Sequence, residues 1–366
     1  MGLLCLRLDN SHDVACEVAL GSSLLKLLGD LQDHGIGPFG TIGAVDQRLG
    51  RLISVFSYDE IYEILSTTGG KAFDILRIDI TFLSWFAQKL LVPLEELDPE
   101  ISKILPQFLD GVSGRYSTVA NTIYALPFSP SVQLLYYRKD LFESTVLRRL
   151  YHEKYKCDLQ PPSNFTEFNR IAEFFTKKKN SNSPVDYGTS LTLGSFGVAG
   201  SEFMARFLES HKNLYDEDGR VRLNGSEGNL AMQQLIELKE MAPTHNNTWW
   251  TDTAEDFASG RLAMAILYSN YASDLIREGS NISELIGCTL VPGQNPILGG
   301  ASLGISKRSQ HPHAALNFSL VNVFVSLLVH LNGSEADTGP LCEFCLGATV
   351  GGADSLEVRV SEVFFH

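Results

Sequence analysis

The sequence predicts an α/β protein of two lobes, and three observations carry that prediction. A chain of 366 residues exceeds what one hydrophobic core usually serves, so two domains are expected. Residues 73–79 alternate apolar and charged side chains up to Asp79, and a helical run over 83–91 stopped by Pro93 follows. Strand, carboxylate, helix is the order found at the carboxyl edge of an open α/β sheet, where ligands sit. Two apolar extended runs, 124–128 and 132–137, flank a Ser129-Pro130-Ser131 break that no regular helix tolerates at its centre. The stretch 124–143 therefore reads as strand, turn and strand, the chain leaving one lobe and entering the other.

Composition narrows the function classes. A hydrophobic fraction of 44% and a charged fraction of 20% are those of a soluble globular protein with a large core. The formal charge of −14 argues against a general binder of phosphate backbones, which needs a basic face. Arg148-Arg149 and Lys177-Lys178-Lys179 are short runs of solvated surface. Six cysteines do not make a disulfide scaffold. Cys342 and Cys345 form a CxxC, but His330 and His366 supply no recognisable second half of a zinc site. Pro340 and Gly347 around the pair suggest a loop rather than a redox helix start. No metal and no cofactor are expected. No apolar run reaches the roughly 18 residues of a membrane span. The start, Met1 to Cys5, lacks the basic region and apolar core of a signal peptide, so either the protein stays inside the cell or its leader lies outside this chain.

Taken in order, residues 17–31 carry Val18, Leu24, Leu25, Leu27, Leu28 and Leu31 at helical spacing behind a possible Asp13 cap. The glycine-rich stretch 34–50 matches no phosphate loop and reads as a loose loop. A short strand over 52–56 and a helix over 58–65 follow. Asp79 closes its strand either as a ligand-site residue or as a plain helix cap. Beyond the crossing, Pro161-Pro162-Ser163-Asn164 is a helix start. Ser163 or Asn164 can cap it, Glu167 stands near the third helical position, and Phe165, Phe168, Ile171, Phe174 and Phe175 fill one face. Residues 177–184 form a loop, 187–193 a strand running into Gly194 to Gly197, and 201–208 a helix. Asp216-Glu217-Asp218-Gly219 suits a surface hairpin better than a calcium loop. A helix over 227–241 ends before Pro243. Trp249 and Trp250 are adjacent, so both cannot enter one core from a regular element. An exposed indole face suits the apolar face of a sugar ring; one ring in the core and one on the surface is the other reading.

Four segments together resemble a known family. Residues 257–264 read FASGRLAM, residues 299–318 contain a GG pair, a strand, KRS and HPHAALNF, residues 93–98 read PLEELD, and LPFSPSVQLLYYRKDLF forms the crossing. In this order they resemble the family 1 extracellular solute-binding proteins of ABC importers, the group that includes maltose-binding protein. The resemblance covers roughly residues 52–318. It implies a periplasmic-binding-protein-like fold: two α/β lobes, each a mixed sheet flanked by helices, joined by a three-crossing hinge with passages near Phe128, Ser269 and Ser302. One lobe would then be 1–127 plus 269–301, and the other 128–268 plus 302–366. Two stretches depart from the family pattern. The strands before residue 52 are weak, and after an apolar helical run over 320–331 the tail from 335 is glycine-rich and irregular.

The same resemblance implies a non-catalytic carrier that traps a small polar solute, a sugar or oligosaccharide, by closing two lobes over it. Its partner would be the membrane permease of an ABC importer, outside the cytoplasm. The carrier would be a monomer and bind no nucleic acid. Asp79 and Trp85 would face the solute from one side, and Ser129, Phe196, Trp249 and Trp250 from the other, with Ser269, Asn270, Tyr271 and Gly300 at the hinge. Asp79 and Asn270 would exchange hydrogen bonds with hydroxyls, Trp250 or Tyr271 would stack, and Gly300 would let backbone approach the ligand. The alternative is the ligand sensor of a transcription regulator built on the same fold. A glycan hydrolase lacks support, because Glu95, Glu96 and Asp98 sit beside a helix stop with no partnered acid.

Overall fold

The structure is a computed structural model that describes residues 73–320 apart from 109–111, 195, 211–212, 244–246 and 277–278, together with 3–6, 53–55 and the single positions 63, 67 and 323. In chain order the described strands are β1 (Leu3–Leu6), β2 (Ile53–Val55), β3 (Ile75–Asp79), β4 (Thr118–Val119), β5 (Thr122–Ile123), β6 (Ala125–Arg138), β7 (Met264–Tyr268), β8 (Ile286–Leu290) and β9 (Leu298–Ile305). The longer described helices are α1 (Ile80–Leu90), α2 (Thr145–Tyr155), α3 (Phe165–Phe174), α4 (Phe196–Leu208), α5 (Ser226–Leu238) and α6 (Trp250–Ala258). The described residues fall into two compact units. The first runs to Pro130 and resumes at Gly299; the second is Ser131–Leu298.

In the first unit the strand order is β2-β1-β3-β9, with β9 next to β6. β3 pairs antiparallel with β9, Ile78 opposite Ser302 and Asp79 opposite Ala301. Both faces of β3 are covered, as the alternation of side chains requires of a central strand. Leu76 and Ile78 pack with Leu83, Phe86 and Leu90 of α1, whereas Ile75 packs with Leu303, Ile305 and Leu316 on the opposite side. The inward residues of α1, Leu83, Phe86, Ala87 and Leu90, recur at three- and four-residue intervals and form a single stripe. A tight hairpin joins β4 to β5 through Ala120 and Asn121, both at positive φ, which matches the right-handed twist of paired strands.

In the second unit β6 is central, with β7 antiparallel on one side and β8 antiparallel on the other. Its alternate residues feed two cores. Leu135 joins Met264 and Ile266 against Phe142, Phe165, Phe168, Ile171 and Phe174. Val132, Leu134 and Tyr136 join Ala265 and Leu267 against Trp250, Phe257 and Leu262. Helix α3 begins as the sequence predicts: Asn164 Oδ1 accepts from Glu167 N at 2.8 Å, and Glu167 Oε2 accepts from Ser163 N at 2.9 Å and Ser163 Oγ at 2.8 Å. One orphan helix donor, Glu167 N, is thereby satisfied, and the Ser163 N–H just before the cap is satisfied beside it. Gly188 runs so close to α3 that a Cβ there would stand 2.0 Å from the Ala172 carbonyl oxygen.

Several expectations are corrected. The crossing is one continuous 14-residue strand, not two strands and a turn. Ser129 takes a left-handed φ of 56°, which absorbs the Pro130 irregularity as a local bend inside the strand. The residues divide differently from 1–127 plus 269–301 and 128–268 plus 302–366. Residues 269–298 stay with the second unit because β8, like β7, pairs with β6. Residues 302–320 join the first because β9 pairs with β3. The sheets are less mixed than expected: every strand pair of known register is antiparallel, since β9, arriving from the second unit, runs against β3. Parallel pairing among the described residues occurs as the isolated bridges Tyr187 to Leu262 and Thr192 to Asn247. Those bridges are all that forms of the strand expected at 187–193. The hydroxyls of Ser190 and Thr192 there bond Thr253 instead, at 3.4 and 2.9 Å, a local competition typical of such residues. Helix α4 starts at Phe196, five residues before the expected 201. The helix over 17–31, the loop over 34–50, most of 58–65, the Cys342–Cys345 pair and the tail lie outside the described residues.

Candidate functional site

The first unit gathers Asp79, Ser129 and Gly300 on neighbouring strands. Asp79 ends β3 and caps α1: its Oδ1 accepts from Thr81 N at 3.0 Å and from Thr81 Oγ1 at 2.8 Å. Asp79 is 8% exposed, and one of its oxygens is committed to the cap. Gly300, buried in β9 at a φ of 92°, stands beside Ala301, the partner of Asp79. That backbone conformation suits glycine alone among ordinary residues. Tyr116 brackets the bend from both sides, its hydroxyl donating to Gly299 O at 2.5 Å and its carbonyl accepting from Ser302 Oγ at 2.5 Å. Sequence reasoning missed Tyr116, which carries no signal beyond an aromatic side chain in a short helix. Ser129 is buried in β6. Trp85 projects from the outer side of α1, 45% exposed, stacked on Phe86 at 5.4 Å with Lys89 Nζ 5.6 Å from its ring.

In the second unit Trp249, Trp250, Ser269, Asn270 and Tyr271 come together around the end of β7. Trp250 opens α6 and is 4% exposed; its ring meets Tyr268 edge-on at 5.0 Å and Trp249 at 4.9 Å. Trp249 is half-buried, the single ring of the pair with appreciable exposure. The indole pair therefore divides into a core ring and a surface ring. Asp252 fixes the entry to α6, Oδ2 accepting from Trp249 N at 3.1 Å and Thr248 N at 2.8 Å. Tyr271 is enclosed as well. Burial pushes its phenol above the ordinary tyrosine range, against a lowering contribution from its hydrogen bond with the Trp249 indole. The buried rings of Trp250 and Tyr271 are taken up by core neighbours, which removes them from the stacking role expected of one or the other. The side chain of Phe196 lies outside the described residues.

The polar groups of this region differ in how well they are satisfied. Ser269 Oγ accepts from Val132 N at 3.3 Å and ties the 269–271 turn to β6. Asn270 Oδ1 is buried without a hydrogen-bond partner, and so is Gln133 Oε1. Gln133 lies in β6 opposite Tyr268, 2% exposed, and sequence reasoning missed it although a glutamine inside the apolar run 132–137 was the available signal. Away from this turn, Arg206 and Glu202 form a buried ion pair at 2.9 Å. Burial lowers the Arg206 pKa, opposed by Glu202, and the guanidinium lies 4.6 Å from the Phe165 ring centre. That pair is an internal brace. Among the described residues no group of three His, Cys, Asp or Glu is gathered for a metal ion, and no helix is long and apolar enough to cross a membrane.

What can such an arrangement do? In each unit taken by itself, the hydrogen-bonding groups, the glycine bend of the first and the aromatic rings of the second are binding chemistry. Comparison with known proteins agrees. A mannitol-binding protein of Pseudomonas aeruginosa is 26% identical over a match taking in 62% of this chain and 49% of that protein, so the chain spans about half the length of this relative. A maltose-bound MalE3 of T. maritima superposes with a TM-score of 0.63 at 21% identity, covering 80% of this chain and 76% of that one. An ABC transporter solute-binding protein of Agrobacterium radiobacter in complex with ribitol gives a TM-score of 0.69 at 19% identity, covering 91% and 84%. The fold is thus the α/β periplasmic-binding-protein-like one. The profile of bacterial extracellular solute-binding proteins, a family of binders rather than enzymes, matches residues 53–325, and the chain belongs to that family.

Proposed function

We propose that this protein captures an uncharged polyhydroxylated solute, an acyclic polyol or a small sugar, for an ABC importer. The observation that carries the solute class is the buried, unpartnered Asn270 Oδ1, next in the chain to Tyr271, whose side chain is hydrogen-bonded to the half-buried Trp249. An acceptor without a donor in a buried site is costly unless a ligand hydroxyl supplies one, and an indole face suits the apolar face of a carbon chain or ring. The mannitol, ribitol and maltose named for the relatives belong to this chemical class.

In this reading the chain crossings at Pro130–Ser131 and Leu298–Gly299 are hinge strands, and the solute biases a closed arrangement of the two units by touching both. Asp79, Trp85, Ser129 and Gly300 are contributed by the first unit and Trp249, Ser269 and Asn270 by the second. The permease of the importer is the partner, and the protein works outside the cytoplasm, as its family does. The three tryptophans, Trp85, Trp249 and Trp250, give a direct readout. Titration with D-mannitol, ribitol or maltose is expected to change tryptophan fluorescence saturably for at least one of them, while sodium phosphate and glycine leave it unchanged. A saturable response to phosphate or glycine alone would contradict the solute class.

A further inference from the structure

The unpartnered acceptors of Gln133 and Asn270 stand at one end of the β6–β7 pair. Gln133 is opposite Tyr268, Asn270 follows Tyr268 by two residues, and Ser269 between them accepts from Val132 N at 3.3 Å. Gln133 is 2% exposed and its Oε1 has no donor; Asn270 Oδ1 is likewise buried and without one. The Gln133 N–H donates to Ile297 O at 3.0 Å, so it does not need the side-chain oxygen. Of the other buried amide oxygens without donors, Gln234 Oε1 belongs to a side chain of α5 whose Nε2 is unpartnered as well, whereas those of Asn169 and Asn247 belong to knitted interiors. Asn169 is tied to Gln234 O at 2.9 Å and to Glu237 at 3.1 Å through its Nδ2. Asn247 Nδ2 reaches Ser190, Thr253 and Asp256 at 2.7, 3.1 and 3.1 Å. Among the described residues no side-chain hydrogen bond holds Gln133 or Asn270 in that way.

We infer that Gln133 and Asn270 form an acceptor pair that receives hydroxyl protons of the solute, with Gln133 as a specificity-determining residue. The inference rests on the functional reading above and sharpens it. Two carbonyl-type oxygens demand donors, so a polyol hydroxyl fits, whereas a carboxylate, which only accepts, leaves both unsatisfied and adds an unpaired charge. Discrimination of this kind is steep because the penalty falls on the wrong ligand.

The test compares the full chain with Gln133→Met, an apolar side chain of similar length, using D-mannitol, ribitol and maltose in calorimetric titrations and thermal melts without ligand. The pair predicts that Gln133→Met weakens the best of the three by about 10- to 100-fold, the range for a lost hydrogen bond in a buried site. The unliganded melting temperature should stay level or rise, because removing an unsatisfied acceptor leaves nothing broken in the empty protein. Deoxy analogues of the best ligand add a second readout: one deoxy position should cost the wild type affinity and cost Gln133→Met almost none. Equal affinity in both proteins would overturn the inference and leave the functional reading standing. A fall in unliganded stability with unchanged affinity would assign Gln133 to the core and overturn it too. Binding of none of the three probes by the wild type would remove both the inference and the reading beneath it.

Discussion

Asp79 holds two possible duties in one carboxylate, and they separate by substitution. Its Oδ1 takes both Thr81 contacts, so Asp79→Ala removes a helix cap and is expected to cost about 1 kcal/mol of stability in urea unfolding. Asp79→Asn retains a competent cap and should unfold like the wild type. If solute hydroxyls also bond the carboxylate, both variants will bind more weakly, the Asn variant at unchanged stability; loss of stability in Asn equal to that in Ala would contradict the cap. At this scale the sequence was an uneven guide. Alternation placed Asp79 at a strand end, yet nothing in the chain shows whether a polar side chain in an apolar strand is partnered. Gln133 looks in sequence like one polar residue in VQLLYY. Its oxygen is unsatisfied because none of its neighbours in space supplies a donor, which is a tertiary fact. The tryptophan pair shows the same limit: adjacency required that the rings divide, but the T-shaped packing on Tyr268 decided which one is buried.

Helix α3 was legible almost atom by atom, because capping depends on residues within four positions of one another. Burial tends to raise the Glu167 pKa, but hydrogen bonds from Ser163 and Asn164 and the nearby Arg170 outweigh it, so the folded carboxyl sits below its ordinary value. The sign follows from proton linkage. The stabilisation is complete above the unfolded value of about 4.3 and is lost as pH falls through the lower folded value. Glu167→Gln should therefore be less stable than wild type by a fraction of a kcal/mol to about 1 kcal/mol at neutral pH, and the gap should close under acid. Urea unfolding at neutral pH and near pH 3 measures it; a gap that widens in acid would contradict the assignment. Strand β6 was less legible. A Ser-Pro-Ser break normally ends a strand, and the left-handed φ at Ser129 that keeps this one continuous is held by long-range pairing with β9 on one side and β7 and β8 on the other. The stretch 187–193 failed in the opposite direction: its composition suits a strand, but hydroxyl contacts to Asn247 and Thr253 replace most of the ladder.

For the whole molecule, length and the crossing stretch foretold two units, and the family resemblance foretold the α/β class and the solute-binding family. The assignment of residues to units was not legible, because it depends on which strands pair. Residues 269–298 are short helices and a strand that could serve either unit until β8 is seen against β6. At this scale we propose that the chain is a receptor for a neutral polyhydroxylated solute. Calorimetric titration of the full chain with D-mannitol, ribitol and maltose tests it most directly. Saturable binding of at least one of them at one molecule per chain is the predicted result. No heat of binding with any of the three, alongside a stoichiometric isotherm for an anion such as phosphate or glutamate, would contradict it.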